Sequence, residues 1–451
     1  MTEDDKKFSI KRESDLNTNQ PIYDFSSISE WDEKKIAQFL IWDHVENMSK
    51  IGPSDFRKLL TRDYRVITKK YKKYKIIIGL IDNLYNNFFL RLAKEQRNAN
   101  KKILFGIGVK YPSIILKTKK HHSLELIVRG ERGRLFSAKN FISYISITDL
   151  IPYVYYFFSE EKMKYLYQIV KKMEEKLGAA KPDYIVLVSD EPPLERAIVL
   201  ASKKLGIVTL EIQHGAYSPT LPLTTGKVAD YVLVWGEYFK DLYVKRGLRK
   251  PEEVYVLGYP YLIEKPKLDY RKKRHYTVCY LGENFEKYNK DLLNIKLETI
   301  SSLYKTCNRW GLTFIYRPHP GEDRKMLKDR LREVIITPKG ENLEKTFKKG
   351  DIFISFSSTA LIEAALRSKI ALQLMNYPWK GDNFEKLGVC SKSFKTIRKL
   401  DEYFKELAKA PGLNEFKPKF NNNYIETRYN PCKRFLEILD DIGKKRKKIK
   451  V

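Results

Sequence analysis

Strand-like and helix-like segments alternate between Thr313 and Leu366, and this order leaves few folds open to the chain. A short apolar run at 313–316 ends in the basic sequence Arg-Pro-His-Pro, and a second run at 351–356 leads into Ser-Ser-Thr at the start of a predicted helix. Such alternation is typical of an open parallel sheet, in which ligands lie beyond the carboxyl ends of the strands. Because a helix N-terminus offers unpaired N–H groups to an anion, the stretch predicts a site for a phosphate-bearing ligand, most naturally a nucleotide-activated one.

The same alternation occurs in the first half of the chain. Apolar strands are predicted at 184–188 and 207–212 around a helix that Gly206 should end, and each strand runs into a polar loop. We therefore expect an α/β protein with two doubly wound, Rossmann-like domains that face a cleft, the C-terminal helix crossing back. The predicted divisions are a loose N-terminal arm (1–30), an acceptor domain (31–264), a nucleotide-donor-binding domain (276–422), and a C-terminal helix with a basic tail (423–451).

Length and composition agree with two domains and exclude several other classes of protein. With 451 residues the chain is too long for a single ordinary core, and 43% hydrophobic residues are too many for a disordered chain. No apolar run reaches the ~18–20 residues of a membrane span. The N-terminus has no signal-peptide pattern, and the four scattered cysteines are typical of reduced, buried thiols. These features predict a cytoplasmic protein.

The net charge of +30 allows two interpretations. Lysines interleaved with glutamates are typical of an ordinary solvated surface. Two denser basic clusters, at 57–75 and 444–450, instead predict a position at an anionic membrane surface, on the inner face of the cell membrane. The first cluster also carries Tyr64, Tyr71 and Tyr74, and tyrosine is favoured at such an interface. No standard nucleic-acid-binding motif occurs, so nucleic acid is not an expected partner.

Five motifs follow one another along the second and third quarters of the chain and beyond. They are Gln213-His214-Gly215, Val-Leu-Val-Trp-Gly at 232–236, Gly258-Tyr259-Pro260, Arg317-Pro318-His319-Pro320, and Ser-Ser-Thr-Ala-Leu-Ile-Glu-Ala at 357–364. This set resembles the GT-B glycosyltransferases of surface polysaccharide biosynthesis, in particular the capsule-polysaccharide, bacterial sialyltransferase and teichoic-acid polymerase group. The resemblance covers about residues 183–442. It implies a CMP- or CDP-linked sugar donor, held mainly by the second domain, and a glycan or lipid-linked acceptor.

The resemblance also implies roles for individual residues. His319 would contact the donor phosphate and act as an acid, while Ser357 and Ser358 would hold that phosphate. The acidic motif that supplies the base in those sialyltransferases is not visible in this chain. Asp190 and Glu191 occupy a similar rim position in the first domain, by position only, and are candidates for the base because glycosyl transfer needs a group that takes the acceptor proton.

The remaining candidates are polar or glycine residues beside predicted strand ends and helix starts. They are His214 as a further catalytic residue, and Arg317, Thr359, Glu363, Gly215, Gly282 and Asn284 as substrate-binding residues. Each candidate also has an ordinary structural explanation. The hydroxyl residues at 357–359 are good N-caps, carboxylates favour helix starts, and a histidine or arginine at a strand end can serve a loop or an ion pair. Glu363 could accept from ribose hydroxyls or form a salt bridge.

Several functions stay open at this stage. No Asp-x-Asp pair and no zinc-like Cys/His spacing occurs, so we expect an inverting enzyme that needs no metal and no cofactor. A CDP-alcohol phosphotransferase of the teichoic-acid type shares the histidine and serine pattern. A UDP-sugar epimerase shares the fold, but its early His-Glu signature is missing. A non-catalytic protein that binds polyanions or nucleic acid is the alternative from another class.

Overall fold

The computed structural model describes residues 31–32, 35–36, 38–42, 56–92, 101–106, 110–160, 162, 164–216, 225–261, 275–284, 286, 292–377, 382–409, 416 and 420–449. The predicted N-terminal arm (1–30) and residues 265–274, between the two predicted domains, lie outside these residues. Within the described ranges, every helix is too short or too polar to cross a bilayer.

The first sheet has seven strands, each parallel to its neighbours. In chain order they are β1 (Lys102–Phe105), β2 (Ser123–Val128), β3 (Ser143–Ser146), β4 (Tyr184–Leu187), β5 (Val208–Ile212), β6 (Tyr231–Val234) and β7 (Val254–Val256). The order across the sheet is β3-β2-β1-β4-β5-β6-β7, so the direction of winding reverses between β1 and β4. The strands are apolar along most of their length because helices cover both faces.

Among the described residues, seven helices precede the second sheet in the chain and belong to the first domain. They are α1 (Phe56–Leu92), α2 (Pro112–Lys119), α3 (Glu131–Lys139), α4 (Ile151–Glu160), α5 (Lys164–Ala180), α6 (Pro193–Lys204) and α7 (Glu237–Lys245), with a π-helical turn at Gln38–Trp42 and 3₁₀ turns at Thr148–Leu150 and Pro251–Glu253. Gly206 follows α6 at φ +69°, a conformation that glycine adopts without strain. This confirms the predicted end of that helix.

The second sheet has six parallel strands and winds in the same way. The strands are β8 (Thr277–Leu281), β9 (Thr313–Arg317), β10 (Ile335–Ile336), β11 (Ile352–Ser355), β12 (Ile370–Leu374) and β13 (Lys392–Phe394), in the order β10-β9-β8-β11-β12-β13. The helices are α8 (Leu292–Arg309), α9 (Arg324–Arg330), α10 (Leu343–Lys349), α11 (Thr359–Leu366) and α12 (Ile397–Lys409). The prediction of two doubly wound α/β domains is confirmed.

The two sheets meet through a shared hydrophobic core. One cluster of buried side chains contains residues of both domains: Trp235, Phe239 and Tyr259 from the first, and Leu281 and Leu361 from the second. The returning chain is bonded to the first domain here: the backbone N–H of residue 426 donates to the carbonyl of residue 235 at 2.8 Å, and that of 238 donates to the carbonyl of 423 at 2.9 Å. The domains are therefore held together by both apolar packing and backbone hydrogen bonds.

The last helix, α13 (Pro431–Ile449), lies against the first sheet. Phe435 and Leu439 belong to the same core cluster as Phe105 of β1. On its exposed side, midway along the helix, the Asp440 carboxylate lies 2.9 Å from the Lys101 ammonium. The chain thus returns to its first domain after completing the second.

Candidate active site

The second sheet reverses its winding between β8 and β11, and the loops after these strands lie side by side. Gly282 opens the loop after β8, and Ser357 lies in the loop after β11. A Cβ atom on Gly282 would lie 2.5 Å from the Tyr316 hydroxyl and 2.7 Å from Glu322 Oε1, so the close approach of these groups requires glycine. This crevice is the place where an open α/β sheet binds its ligand.

A buried carboxylate that the sequence analysis missed joins the two loops. Glu283 accepts hydrogen bonds from the backbone N–H of Ser357 (2.8 Å), the Ser357 hydroxyl (3.1 Å) and the backbone N–H of Phe356 (3.2 Å). Burial raises the pKa of Glu283 to about 7, although these donors work in the opposite direction. The Ser357 hydroxyl therefore already has a protein acceptor, and its binding of a donor phosphate stays a prediction.

Glu283→Gln is expected to remove a pH dependence of stability. Because the pKa is higher in the folded state (about 7) than the ordinary value of 4.5, the stabilisation is present below pH 4.5 and is lost as the pH rises through 7. The whole shift corresponds to about 3 kcal/mol in the free energy of unfolding. Urea unfolding at pH 5 and 7.5 should therefore show a smaller loss for the variant than for the wild type. The exposed Glu298→Gln is the matched control, and an equal loss in all three proteins would contradict the assignment.

Ser358 is the N-cap of α11, because its hydroxyl accepts the backbone N–H of Ala360 at 3.3 Å. Thr359 is the first residue of that helix. Helix capping therefore explains the Ser358 hydroxyl. The positive end of the helix dipole lies at the crevice, which also suits an anion, and phosphate binding by Ser358 and Thr359 stays a prediction.

Glu363 lies one turn along α11 and faces the first domain. Its carboxylate is 3.5 Å from the Arg367 guanidinium, and burial raises the pKa of Glu363 while Arg367 opposes the shift. Burial, and then the Glu363 carboxylate, raise the pKa of Tyr259 well above its usual range. Glu363 thus meets the tyrosine of the Gly-Tyr-Pro motif, and its contact with a ribose stays a prediction.

The turn after β9 sets the proton position on His319. Nδ1 accepts the backbone N–H of Gly321 at 3.1 Å, so the neutral ring carries its proton on Nε2. Desolvation lowers the pKa of His319, and the Lys296 ammonium lowers it further. Asn284 reaches the same turn, since a Cβ atom on Gly321 would lie 2.6 Å from Asn284 Nδ2. His319 therefore offers an N–H donor at an exposed position.

A buried ion pair supports this turn from beneath. Lys296 is 1% exposed, lies 3.2 Å from Glu322 Oε1, and also donates to the Glu286 carboxylate. Glu322 in addition accepts the Tyr316 hydroxyl at 2.5 Å and the backbone N–H of His319 at 3.2 Å. The sequence analysis missed Glu322, although a glutamate three residues after the motif histidine was a visible signal.

Arg317 has a protein partner on the flank of the sheet. Its Nη1 donates to the Thr346 hydroxyl of α10 at 2.7 Å, and that hydroxyl donates to the Glu341 carboxylate at 3.0 Å. These two hydrogen bonds give the guanidinium a structural role. Phosphate binding by Arg317 stays a prediction.

In the first domain, His214 has the tautomer opposite to that of His319. Its Nδ1 lies 2.9 Å from the Val188 carbonyl, which can only accept, so Nδ1 carries the proton and the lone pair lies on Nε2. Burial lowers the pKa of His214 to about 4, with a smaller contribution from Lys110. The Gly215 carbonyl accepts the side-chain amide of Gln213 at 2.7 Å, which fixes the turn after β5. His214 is therefore neutral at pH 7 and has the proton arrangement of a base.

Asp190 anchors a loop and does not suit a catalytic base. It is 1% exposed, and its carboxylate accepts the backbone N–H groups of Gly226 (2.8 Å), Val228 (2.7 Å) and Ala229 (2.9 Å). Burial alone would raise the pKa of Asp190, but hydrogen bonds from the Glu211 carboxyl and these N–H groups lower it below its usual value. Burial and the Asp190 charge raise the pKa of Glu211, so the proton of this buried pair resides on Glu211.

Glu191 lies at the approach to α6 and is 8% exposed. Its backbone N–H donates to the Ser189 hydroxyl at 3.3 Å, and its carbonyl accepts Arg196 Nε at 3.1 Å. These bonds fix the backbone of the loop. A role for the Glu191 carboxylate as the base stays a prediction.

Tyrosines connect the end of β5 with α11 of the second domain. The Tyr111 hydroxyl donates to the Gln213 carbonyl at 2.8 Å, and the Tyr111 ring centroid is 5.3 Å from that of Tyr261. The Tyr261 ring centroid lies 5.6 Å from that of Tyr259, which faces Glu363. The end of β5, which carries His214, and helix α11, which follows Ser357 and Ser358, therefore border the same interdomain region.

Solved structures share this two-domain arrangement. S. aureus MnaA, in a co-structure with UDP, aligns at TM-score 0.54 and 15% identity over 76% of this chain and 97% of its own. The UDP-GlcNAc 2-epimerase from Methanocaldococcus jannaschii aligns at TM-score 0.52 and 16% identity over 75% of this chain and 99% of its own. The chain has the GT-B fold. At these identities the likeness is one of fold alone.

Other comparisons add little to the GT-B assignment. The wall teichoic acid polymerase TagF aligns over 85% of this chain and 98% of its own at 13% identity, but its TM-score of 0.42 is too low to carry an argument. No family model and no curated protein matches the chain.

The GT-B cleft offers N–H donors and a proton acceptor on opposite domains. His319 and the start of α11 belong to the second domain, whereas His214 belongs to the first. Across the described residues, no three His, Cys, Asp or Glu side chains are grouped as a metal site would require. The arrangement suits transfer of a group from an anionic carrier to a hydroxyl.

Proposed function

We propose that the protein is a glycosyltransferase of surface polysaccharide biosynthesis. It transfers a sugar from a nucleotide-activated donor, with CMP- or CDP-linked sugars favoured, to a glycan or lipid-linked acceptor. The observation that carries the proposal is the pair of complementary tautomers: His319 has its proton on Nε2, and His214 has its lone pair there. The fold alone would fit several enzymes, whereas this pair offers a hydrogen-bond donor for the leaving phosphate and a proton acceptor for the attacking hydroxyl.

His319 acts on the leaving nucleotide. Its Nε2–H donates to a phosphate oxygen, and the phosphate charge raises the low pKa of the ring, so that the histidine can become cationic as the sugar bond breaks. The start of α11 stabilises the same charge with its dipole. These groups stabilise the departing phosphate without a metal ion.

His214 takes the proton of the attacking acceptor hydroxyl. Its Nδ1–H bond to the Val188 carbonyl holds the ring and keeps the lone pair on Nε2. With a pKa of about 4 it is a weak base in the free protein, but the nucleotide's negative charge in the same cleft favours the protonated ring. Attack on the face opposite the leaving group gives inversion.

Replacing Ser357 and Ser358 together by alanine is expected to weaken nucleotide binding more than it destabilises the fold. Loss of the Ser358 cap and loss of the Ser357 hydrogen bond to Glu283 cost about 1 kcal/mol each, whereas each lost hydrogen bond to a charged phosphate costs about 1.5–3 kcal/mol. Calorimetric titration with the nucleotide and urea unfolding measure the two effects. Asn342→Ala removes the N-cap of α10 and is the matched control: it should lower stability alone. Unchanged affinity in the double variant would leave the serines with structural roles alone, Ser358 as the cap of α11 and Ser357 as a partner of Glu283.

Incubation with nucleotide donors and an oligosaccharide acceptor, followed by mass spectrometry, tests the proposed function. A glycosyltransferase adds one sugar to the acceptor and releases CMP from a CMP-sugar or CDP from a CDP-sugar. A CDP-alcohol phosphotransferase instead adds an alcohol phosphate and releases CMP. A non-catalytic binder leaves donor and acceptor unchanged, which would contradict the proposal.

A UDP-GlcNAc 2-epimerase is the second candidate, because structures with that printed activity align at TM-scores above 0.5. Such an enzyme would isomerise UDP-GlcNAc without any acceptor and with no release of nucleotide. Incubation with UDP-GlcNAc alone, analysed by NMR of the sugar, separates this activity from transfer.

A further inference from the structure

Helix α1 is amphipathic in an unusual way, since one face is packed and the opposite face is both apolar and exposed. On the packed face, Tyr64 and Thr68 are buried. Further along, the Asp82 carboxylate accepts Arg134 Nε at 2.6 Å and the Tyr144 hydroxyl at 2.6 Å, which ties the helix to the edge strand β3. These contacts fix the orientation of α1 on the first domain.

The opposite face exposes large hydrophobic side chains. Ile76 is 79% exposed, Leu84 70%, Val66 65%, Ile77 57% and Leu80 56%. Of the fourteen large hydrophobic residues exposed among the described residues, eight belong to α1. The spacing of 66, 77, 80 and 84 places these four on one side of the helix. An apolar surface of this kind on a soluble domain indicates a binding site.

The charges on this face identify the partner. Residues 57–75 contain nine Lys or Arg and one Asp, and the exposed Arg62, Lys69 and Lys73 share the helix face of Ile77 and Leu80. A second copy of the chain would bring the same cations against these, and the repulsion opposes self-association. An anionic surface with an apolar interior satisfies both the cations and the hydrophobic side chains.

Tyrosines of α4 and α5 lie beside one flank of α1, next to its exposed face. The Lys72 ammonium lies 5.1 Å from the centroid of the Tyr156 ring. The Tyr156 ring centroid in turn lies 5.7 Å from that of Tyr155 and 5.4 Å from that of Tyr165. Tyrosine beside lysine is favoured at the boundary between headgroups and acyl chains.

We propose that α1 docks the protein in the plane of an anionic lipid bilayer. Ile77, Leu80 and Leu84 enter the boundary between headgroups and acyl chains, and the basic half of the helix binds the lipid phosphates. The biological purpose rests on the proposed function, because a lipid-linked acceptor lies in that same surface, but docking itself needs no turnover. Helix α13 packs on the other face of the first sheet, so the basic cluster at its end is not part of this surface.

Co-sedimentation of the full chain with vesicles tests the docking. The wild type is expected to bind phosphatidylglycerol vesicles at least about tenfold more tightly than phosphatidylcholine vesicles, and high salt should weaken this binding without abolishing it. The triple variant I77S/L80S/L84S is expected to lose at least about tenfold in affinity for phosphatidylglycerol vesicles, with most of its residual binding lost at high salt. The variant R62Q/K69Q/K73Q is expected to lose the preference for anionic vesicles.

Matched controls separate docking from general charge and folding effects. K339Q/K345Q/K348Q removes three exposed lysines of the second domain, and L135S/I335S removes two exposed hydrophobic residues elsewhere. Both should bind like the wild type. Wild-type binding by I77S/L80S/L84S, or equal weak binding of the wild type to both vesicle types, would overturn the proposal. So would a dimer in analytical ultracentrifugation that this triple variant abolishes. Because docking is measured without donor or acceptor, its failure is distinct from a failure of glycosyl transfer.

Discussion

His319→Ala is expected to lower kcat for nucleotide release about 10²–10⁴-fold while the protein stays folded. The ring lies at an exposed position, and its Nδ1 bond to Gly321 joins residues within a single turn. The turn keeps its buried support, because Glu322 accepts the backbone N–H of residue 319, which alanine retains. The loss should therefore fall on charge stabilisation at the departing phosphate. Steady-state nucleotide release, with circular dichroism and thermal unfolding as checks of the fold, measures it.

His121→Ala is the matched control for this change, since His121 is exposed and lies just before β2, at the edge of the first sheet opposite the carboxyl ends of its strands. It should keep the activity of the wild type. Near-wild-type release by a folded His319→Ala protein would refute the catalytic role of His319. The neutral His319→Gln should restore part of the rate if the role is only to donate a hydrogen bond, and none if a proton is transferred.

Lys296→Met is expected to have the largest effect on stability, a loss of about 3–5 kcal/mol in the free energy of unfolding. The ammonium is 1% exposed and is shared between Glu322 and Glu286. Methionine fills much of the volume but leaves two carboxylates without their cation, and one of them is fully buried. Urea unfolding at pH 7 measures the change.

Lys305→Met, on the exposed side of the same helix, is the control and should be close to neutral. The double variant Lys296→Met/Glu322→Gln should recover part of the loss, because the fully buried charge is then removed as well. If Lys296→Met and Lys305→Met unfold at the same urea concentration, the buried ion pair does not support the His319 turn.

Much of the fold could be predicted from the sequence because both sheets consist of short apolar strands between amphipathic helices. The strands predicted at 184–188 and 313–316 occur as β4 and β9, and Gly206 ends its helix. The helix at 56–92 was harder to predict. Its lysines and exposed isoleucines do not follow a single apolar stripe, so the sequence marked 57–75 as a basic cluster, whereas the structure places these residues inside the continuous helix α1.

The side chains of the cleft were predictable only in part. His214 and His319 stand out at strand ends, but their tautomers depend on carbonyl and amide groups that the chain brings in from elsewhere. Glu283 is separated by 74 residues from the serine it binds, so no local pattern reveals it. Glu211 did leave a signal, a carboxylate in an otherwise apolar strand. Its partner Asp190 was taken for a rim residue because burial cannot be read from a polar loop.

Thermal unfolding with CMP, CDP, UDP and GDP tests most directly whether this cleft binds an activated donor. A ligand that binds the native state alone, at 100 times its Kd, adds about 2.7 kcal/mol to stability and raises Tm. We predict that CMP or CDP raises Tm, that GDP does not, and that the variant with alanine at 357 and 358 responds less than the wild type. No shift with any of the four nucleotides, or a shift with UDP alone, would contradict a CMP- or CDP-linked glycosyltransferase.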